Sequence, residues 1–343
     1  MSLVITNPLS NIPKAPKSHN LGYAQIWADQ LNAKIDHTCT KNIQNADIVY
    51  INHGVNFTGS INLFGGIDRD IYDRINTLFM CKKIVSLEWD IKIWTDNFRK
   101  RIGNSSTYHK VTEQWCDKLE ALLKNIPILK QEDLNMKGIT VGDSHTLAFS
   151  DKTDKIYRRD GATLHGALKT GLKNLFRDKP IEGNITFCFG SIDIRHHLLR
   201  HNNVDLKAMI KEYIKQAKEC TDDPKFAAPV PVEYEKRKLP KTGYYKGTPF
   251  FGSQSERKRI TDDFISILTD ESKGNIVMPP RFWYDMDPEK YALNFMEKGS
   301  SVHIAPPNYR RNDFGSNPLT ICLLYTSDAA DEGLGVDLGG RRI

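Results

Sequence analysis

The sequence contains few cysteines, and they form none of the patterns that give cysteine a structural role. Its six cysteines are scattered over 343 residues without a C-x-x-C pair. This spacing argues against a disulfide framework or a structural zinc site and favours free thiols in a reducing compartment. There is also no run of 18 apolar residues, and residues 1–6 form neither a basic leader nor a long apolar core. We therefore predict a cytoplasmic protein with no bound metal and no membrane partner.

A dinucleotide-binding fingerprint of the form G-x-G-x-x-G is absent as well, so we expect no cofactor. What is present is an ordinary globular composition, with 39% hydrophobic and 26% charged residues. The net charge of +6 is a mild basic surplus. It permits a nucleic-acid partner without indicating one, and it leaves the oligomeric state open.

The length of the chain predicts two domains, at residues 1–133 and 134–321. In the first, strand patterns alternate with helix patterns, which predicts α/β structure: a parallel, Rossmann-like half-sheet with helices on its faces. The predicted strands are residues 3–6, 47–52 and 83–90, and the predicted helices are residues 23–33, 67–80 and 106–124, the last bridging to the second domain.

The second domain repeats the alternation, so it too is predicted to be α/β. We expect strands at 137–141 and 184–189, an edge strand at 227–232, and helices at 164–176, 204–218 and 253–268. The last helix opens with a capping box, Ser253 and Glu256. Residues 233–252 are basic and aromatic and are predicted to form a long loop.

The first strand of this domain leads directly into Gly142-Asp143-Ser144. Ligands of open α/β sheets bind at the carboxyl ends of the strands, so Ser144 is well placed to act as a nucleophile. The same turn also fits a plain helix start, with Asp143 or Ser144 as the N-cap. Far along the chain, His303 lies between two β-branched residues and shortly before a proline turn, as a general base on a loop would.

The order of four short blocks resembles that of the SGNH, or GDSL-like, hydrolase superfamily. The blocks are Gly142-Asp143-Ser144, then Gly161, then Gly190-Ser191-Ile192-Asp193, then Val302-His303-Ile304-Ala305-Pro306. The resemblance implies a flavodoxin-like, three-layer α/β/α domain with a parallel sheet. It also implies that Ser144 is the nucleophile, that His303 is the base, and that the backbone of Gly161, or else Gly166, binds the oxyanion. Asp143, Gly190 and Asp193 match the remaining block positions.

The sequence departs from that pattern at two positions. Ile192 stands where the superfamily has the asparagine of its oxyanion hole, and Ser300 stands where it has an aspartate three residues before the histidine. Asp285 or Asp287 is a candidate to orient His303 in place of that aspartate. The alternative is a Ser–His dyad that works without an acid. The resemblance thus implies a serine esterase or O-acyltransferase acting on a small-molecule or glycan ester.

The segment after the third block gathers three histidines and two arginines. Arg195, His145 and His196 are predicted to bind an anionic part of the substrate. His197 and His201 are four residues apart, as helical metal ligands are, but no third ligand is evident and a solvated basic helix is favoured.

Two other functions remain open from the sequence. Residues 46–66 and 83–90 faintly resemble phage DNA β-glucosyltransferases, which would imply DNA modification from a nucleotide sugar. Ile192 and Ser300 also fit a glycan-binding module that has lost catalysis. Finally, residues 322–343 resemble the translation of a sequencing adapter, so we expect this tail to be non-native.

Overall fold

A computed structural model describes the larger part of the chain. The described residues are 1–6, 26–36, 45–52, 83–87, 117, 121, 125–175, 183–201, 204–232, 250–297 and 302–312. The predicted helix at 67–80, nearly all of the helix at 106–124, most of the basic loop and the adapter-like tail lie outside these residues. The same holds for most of the segment that resembles a glucosyltransferase.

The described strands form two parallel five-stranded sheets. The first sheet comprises β1 (Ser2–Thr6), β2 (Lys34–Asp36), β3 (Ile48–Asn52), β4 (Ile84–Leu87) and β5 (Ile128–Leu129), in the order β2-β1-β3-β4-β5. The second comprises β6 (Gly138–Gly142), β7 (Asp154–Arg158), β8 (Asn184–Cys188), β9 (Lys225–Ala227) and β10 (Ile276–Val277), in the order β10-β9-β8-β6-β7. Viewed from the opposite edge, the second sheet repeats the order of the first.

This repeated order, 2-1-3-4-5, is one of the two common arrangements of doubly wound α/β sheets. The predicted α/β class is therefore confirmed. The predicted half-sheet is wrong, because the amino-terminal unit holds five parallel strands. Strands β2 and β5, of three and two residues, escaped prediction because they are too short to show a period.

Among the residues that the structure describes, six α-helices accompany the second sheet. They are α1 (Thr146–Phe149), α2 (Leu164–Thr170), α3 (Leu206–Lys218), α4 (Gln254–Glu271), α5 (Phe282–Asp285) and α6 (Pro288–Phe295). The capping box of α4 is present: Ser253 Oγ accepts a hydrogen bond from the Glu256 N–H at 3.3 Å, and the Glu256 carboxylate accepts one from the Ser253 N–H at 2.8 Å. Such a cap stabilises a helix by about 1 kcal/mol.

Side chains alternate between the two faces of the second sheet, and each face has its own core. Ile139 and Val141 of β6 pack on one face with Tyr213 of α3. Ile156 of β7 packs on the other face with Trp283 of α5. Because helices cover both faces of the sheet, the ends of its strands are the part that a ligand can approach.

The amino-terminal and carboxyl-terminal units are joined by buried contacts. Ile26 packs into the core of the second sheet, whereas its neighbour Trp27 packs into the core of the first. Arg311, which is buried, lies 3.3 Å from the Asp29 carboxylate and donates a hydrogen bond to Ser150 Oγ at 3.1 Å. Burial lowers the pKa of Arg311 to about 10. A charge buried to this extent is costly without a partner, so this contact fixes the helical residues 26–31 against the second sheet.

Within the part of the chain that the structure describes, no helix is long and apolar enough to cross a membrane.

Candidate active site

The candidate site lies at the carboxyl ends of β6 and β8. These are the first and third strands of the second sheet, and the helices that follow such a pair leave in different directions and open a crevice between them. The turn after β6 consists of Asp143, Ser144 and His145, and the turn after β8 runs through Gly190 to Ser191. The topology therefore brings two of the predicted sequence blocks to one crevice.

Gly142 allows β6 to end in this turn while it stays paired with β8. A Cβ atom at Gly142 would overlap the carbonyl oxygen of Cys188 and would lie 2.6 Å from the carbonyl carbon. In the absence of a side chain, the next residue continues the ladder, and the Asp143 N–H donates to the Cys188 carbonyl at 2.9 Å. Glycine is thus required here by close backbone approach rather than by a left-handed conformation.

Ser144 and His303, the predicted nucleophile and base, are in contact. Ser144 Oγ lies 2.8 Å from His303 Nε2, although the two residues are 159 positions apart in the chain. Ser144 is 9% exposed, so its hydroxyl is largely withdrawn from water. The distance is within the range at which a base removes a hydroxyl proton.

The other nitrogen of the His303 ring faces a carboxylate that the sequence did not indicate. His303 Nδ1 lies 3.6 Å from Glu297 Oε2, and the two side chains are 22% and 12% exposed. An antiparallel pairing brings them together: Met296 bridges to Ile304, and the Glu297 N–H donates to the His303 carbonyl at 3.0 Å. Ser144, His303 and Glu297 are thus arranged in space as a nucleophile, a base and an orienting acid.

The two aspartates considered for that role lie elsewhere. Asp287 caps α6, where its carboxylate accepts hydrogen bonds from the Glu289 and Lys290 N–H groups at 3.1 and 3.0 Å. Asp285 lines a separate cavity of about 370 Å³ beside α4. Glu297 therefore takes the position for which Asp285 and Asp287 were proposed.

Burial keeps the His303 imidazole neutral. Desolvation lowers the pKa of His303 to about 3, and the influence of the neighbouring His145 and Arg158 acts in the same direction, against Asp143 and Asp160. A neutral imidazole has a free lone pair, so it accepts the serine proton without first losing one. The site therefore holds its base in the reactive form at neutral pH.

This shift predicts the pH dependence of Ser144 reactivity. The pKa of His303 is lowered, so the neutral base persists as the pH falls below the usual histidine range of about 6.5. The rate constant for modification of Ser144 by a serine-directed probe, measured between about pH 4 and 8, should stay flat through pH 6.5 and fall only in more acidic solution. A midpoint at 6.5 or above would show that the ring titrates like an exposed histidine.

Asp143 and His145 face each other within the nucleophile turn. The buried Asp143 carboxylate accepts a hydrogen bond from the His145 N–H at 2.8 Å and lies 3.2 Å from His145 Nδ1. The opposite nitrogen, His145 Nε2, lies 2.8 Å from the carbonyl oxygen of Val302. His145 was predicted to bind substrate, and in this structure its ring contacts Asp143 and the Val302 carbonyl.

Gly190 and Ser191 shape the second wall of the crevice. Gly190 has φ +104°, and a Cβ there would lie 2.8 Å from the Phe264 ring, so this position also requires glycine. Ser191 is buried, and its Oγ lies 3.4 Å from His145 Nε2. Ile192, at the position of the superfamily asparagine, is only partly buried. Ser191 is therefore the polar side chain that this block brings toward the nucleophile turn.

Asp193, a predicted catalytic residue, contacts the start of α2. Its carboxylate accepts hydrogen bonds from the Leu164 N–H at 2.6 Å and the His165 N–H at 3.2 Å. Burial raises the pKa of Asp193, and these two donors oppose the rise. The structure thus places Asp193 where it stabilises the amino terminus of a helix.

A solvated basic helix was favoured for the segment that contains Arg195 and His196, which were predicted to bind substrate; both side chains are instead buried in a π-helical turn, Asp193–His197. Arg195 Nη1 donates to the carbonyl oxygen of Ser191 at 2.8 Å and also to Ser191 Oγ. The His196 ring packs 5.6 Å from the Phe250 ring. The reason for the difference is that these polar groups find partners inside the protein, which a charge pattern does not reveal.

Gly161 lies in an exposed turn between β7 and α2, with φ +76°. The alternate, Gly166, lies inside α2, and its N–H donates to Thr163 Oγ1 at 3.0 Å. Nearby, Arg158 binds both oxygens of the Asp160 carboxylate: Nε lies 2.5 Å from Oδ1, and Nη2 donates to Oδ2 at 2.6 Å. Of the two glycines, Gly161 is thus the one whose N–H is not used in capping a helix.

Among the described residues, no group of three or more histidine, cysteine, aspartate or glutamate side chains is arranged to hold a metal ion. The two described cysteines, Cys188 and Cys220, are free thiols. Burial raises the pKa of the Cys188 thiol well above its ordinary value, so it is a poor nucleophile beneath the site.

Comparison with known proteins adds no assignment: no protein-family model matches the sequence, and no curated protein matches it.

Proposed function

We propose that this protein is a serine esterase or O-acyltransferase that acts through an acyl-enzyme on Ser144. The observation that carries the proposal is the 2.8 Å contact between Ser144 Oγ and His303 Nε2, with Glu297 beyond the ring. The order of the four blocks, which resembles that of SGNH hydrolases, supports the same chemistry and a three-layer SGNH-type domain. A small-molecule or glycan ester remains the proposed substrate class.

The proposed reaction has two balanced steps. Ser144 Oγ attacks the ester carbonyl carbon while His303 Nε2 takes the hydroxyl proton; the C–O bond to the alcohol then breaks, and the alcohol leaves with that proton. In the second step water, or an acceptor alcohol, attacks the acyl carbon and gives its proton to His303. The proton returns to Ser144 as the acyl group departs.

The oxyanion of each intermediate needs donors near Ser144. The Ser144 N–H makes no hydrogen bond within the described residues, and it adjoins the reacting oxygen. Gly161 is the second donor implied by the resemblance. Because Ile192 has no side-chain amide, turnover is expected to be slower by about two to three orders of magnitude than with a full oxyanion hole.

The test is covalent labelling of the full-length protein by a fluorophosphonate. Attack of Ser144 on phosphorus displaces fluoride, so the intact mass should rise by one phosphonyl group, and peptide mapping should place that group on Ser144. Ser144→Ala, checked for folding by circular dichroism, should stay unmodified. If the folded wild type gains no adduct, or gains it at another residue, the serine mechanism is wrong. A labelled protein would then be screened with esters and acyl donors.

A further inference from the structure

His145 lies beside the two groups that must meet for the proposed reaction. It follows Ser144 directly in the chain, and the centroid of its ring lies 5.1 Å from that of His303. Its side chain is 3% exposed, so the ring belongs to the interior rather than to a surface that receives substrate.

The ring contacts three separate segments. Nε2 lies 2.8 Å from the carbonyl oxygen of Val302, the residue before His303, and 3.4 Å from Ser191 Oγ. Nδ1 lies 3.2 Å from the Asp143 carboxylate. Because the carbonyl oxygen can only accept, Nε2 donates to Val302. One ring thereby connects the turns that follow β6 and β8 with the segment that carries the base.

We propose that His145 is a positioning residue whose hydrogen bond to the Val302 carbonyl holds His303 at reacting distance from Ser144. This role rests on the function proposed above. The segment of His303 is anchored on its other side to the end of α6, where the Ala305 N–H donates to the Phe295 carbonyl at 2.8 Å. Without the bond to His145 that segment is free to shift relative to Ser144, and a displacement of about 1 Å at a reacting centre can cost a hundredfold in rate.

Three substitutions separate this role from simple packing. In His145→Gln the terminal amide reaches roughly as far as Nε2 and can still donate to Val302. In His145→Asn the shorter amide reaches only the Asp143 side. His145→Leu keeps the bulk and loses both polar contacts of the ring, the one to Val302 and the one to Asp143. A packing role would rank leucine with glutamine, whereas a positioning role ranks asparagine with leucine.

The rate constant of fluorophosphonate labelling is measured for the wild type and the three full-length variants. We expect His145→Gln to stay within about tenfold of the wild type and the other two to fall by about a hundredfold or more. Equal rates in all three variants, or glutamine as slow as leucine, would overturn the proposal. Urea unfolding of each variant identifies any rate loss that comes from global instability.

Hydrogen exchange of peptides covering residues 302–312 gives a second readout that does not need a reactive serine. Exchange there should be faster in His145→Asn and His145→Leu than in the wild type, and unchanged in His145→Gln. If the wild type is not labelled, the proposed function fails, yet this ranking still decides whether His145 fastens the segment. Unchanged exchange in all three variants would show that it does not.

Discussion

Replacing Glu297 by glutamine is expected to lower the rate of Ser144 labelling by about a hundredfold to ten-thousandfold. The Glu297 carboxylate lies 3.6 Å from His303 Nδ1, on the side of the ring away from Ser144. An acid in this position fixes the tautomer that leaves Nε2 free to accept a proton, and it stabilises the imidazolium that forms. A glutamine amide has nearly the same shape, but it carries no charge and can present an N–H to the ring.

The measurement is the second-order rate constant for the fluorophosphonate at neutral pH, with circular dichroism to confirm folding. Glu289→Gln is the matched control, because Glu289 is exposed in the first turn of α6 and its loss should leave the rate unchanged. A Glu297→Gln rate within twofold of the wild type would mean that Ser144 and His303 act as a dyad.

Replacing Gly142 by alanine is expected to destabilise the protein by about 3 kcal/mol or more and to abolish Ser144 labelling. The added Cβ would meet the backbone of Cys188, where no flexible side chain can move aside. β6 would have to separate from β8 at its last pair, and the turn that holds Ser144 starts at that pair. The same substitution thus damages the sheet and the site.

Urea unfolding of the full-length protein measures this effect, and Gly161→Ala is the comparison. Gly161 has space around its missing side chain but a left-handed backbone, so alanine there should cost only about 1–2 kcal/mol. If Gly142→Ala were no more destabilising than Gly161→Ala, the close approach of β6 to β8 would not be the reason for glycine.

The long apolar strands could be predicted because their period is strong. β1, β3, β6 and β8 contain runs of β-branched or aromatic residues bounded by polar residues or glycine, and all were anticipated within a few residues. β7, with the sequence Asp-Lys-Ile-Tyr-Arg, was missed because its polar ends conceal a buried centre. α2 was predicted to extend to residue 176 but ends at Thr170, since Gly171 adopts φ +86°.

The contact between Ser144 and His303 could be predicted, because both residues belong to recognisable sequence motifs. Ser144 and His303 were paired from the order of short blocks, and the structure brings them together. Glu297 carries no such signal, because its place beside His303 depends on antiparallel pairing with the segment 303–305 and not on a fixed spacing. An acidic residue just after a helix and close before the histidine was the available clue.

Buried polar residues were the least predictable part. Arg195, His196 and His145 were assigned to substrate binding because they lie next to the predicted site blocks in the sequence. Charged and titratable side chains are usually exposed, so nothing in the sequence indicates that these three are buried. Their partners are the backbone and side chains of Ser191, the Phe250 ring and the Val302 carbonyl. Ser191 is four residues before Arg195 in the same helical segment, whereas Phe250 and Val302 are far away in sequence, so only the fold identifies those two.

The pairing of Met296 with Ile304 has a kinetic consequence. Because Glu297 and His303 face each other across the same antiparallel pair, we expect the acid and the base to move together. A shift of this segment would then keep the distance between Glu297 and His303 and change the distance from His303 to Ser144. On that expectation, the apparent rate of Ser144 labelling is the intrinsic rate multiplied by the fraction of molecules in which His303 is within reach of Ser144.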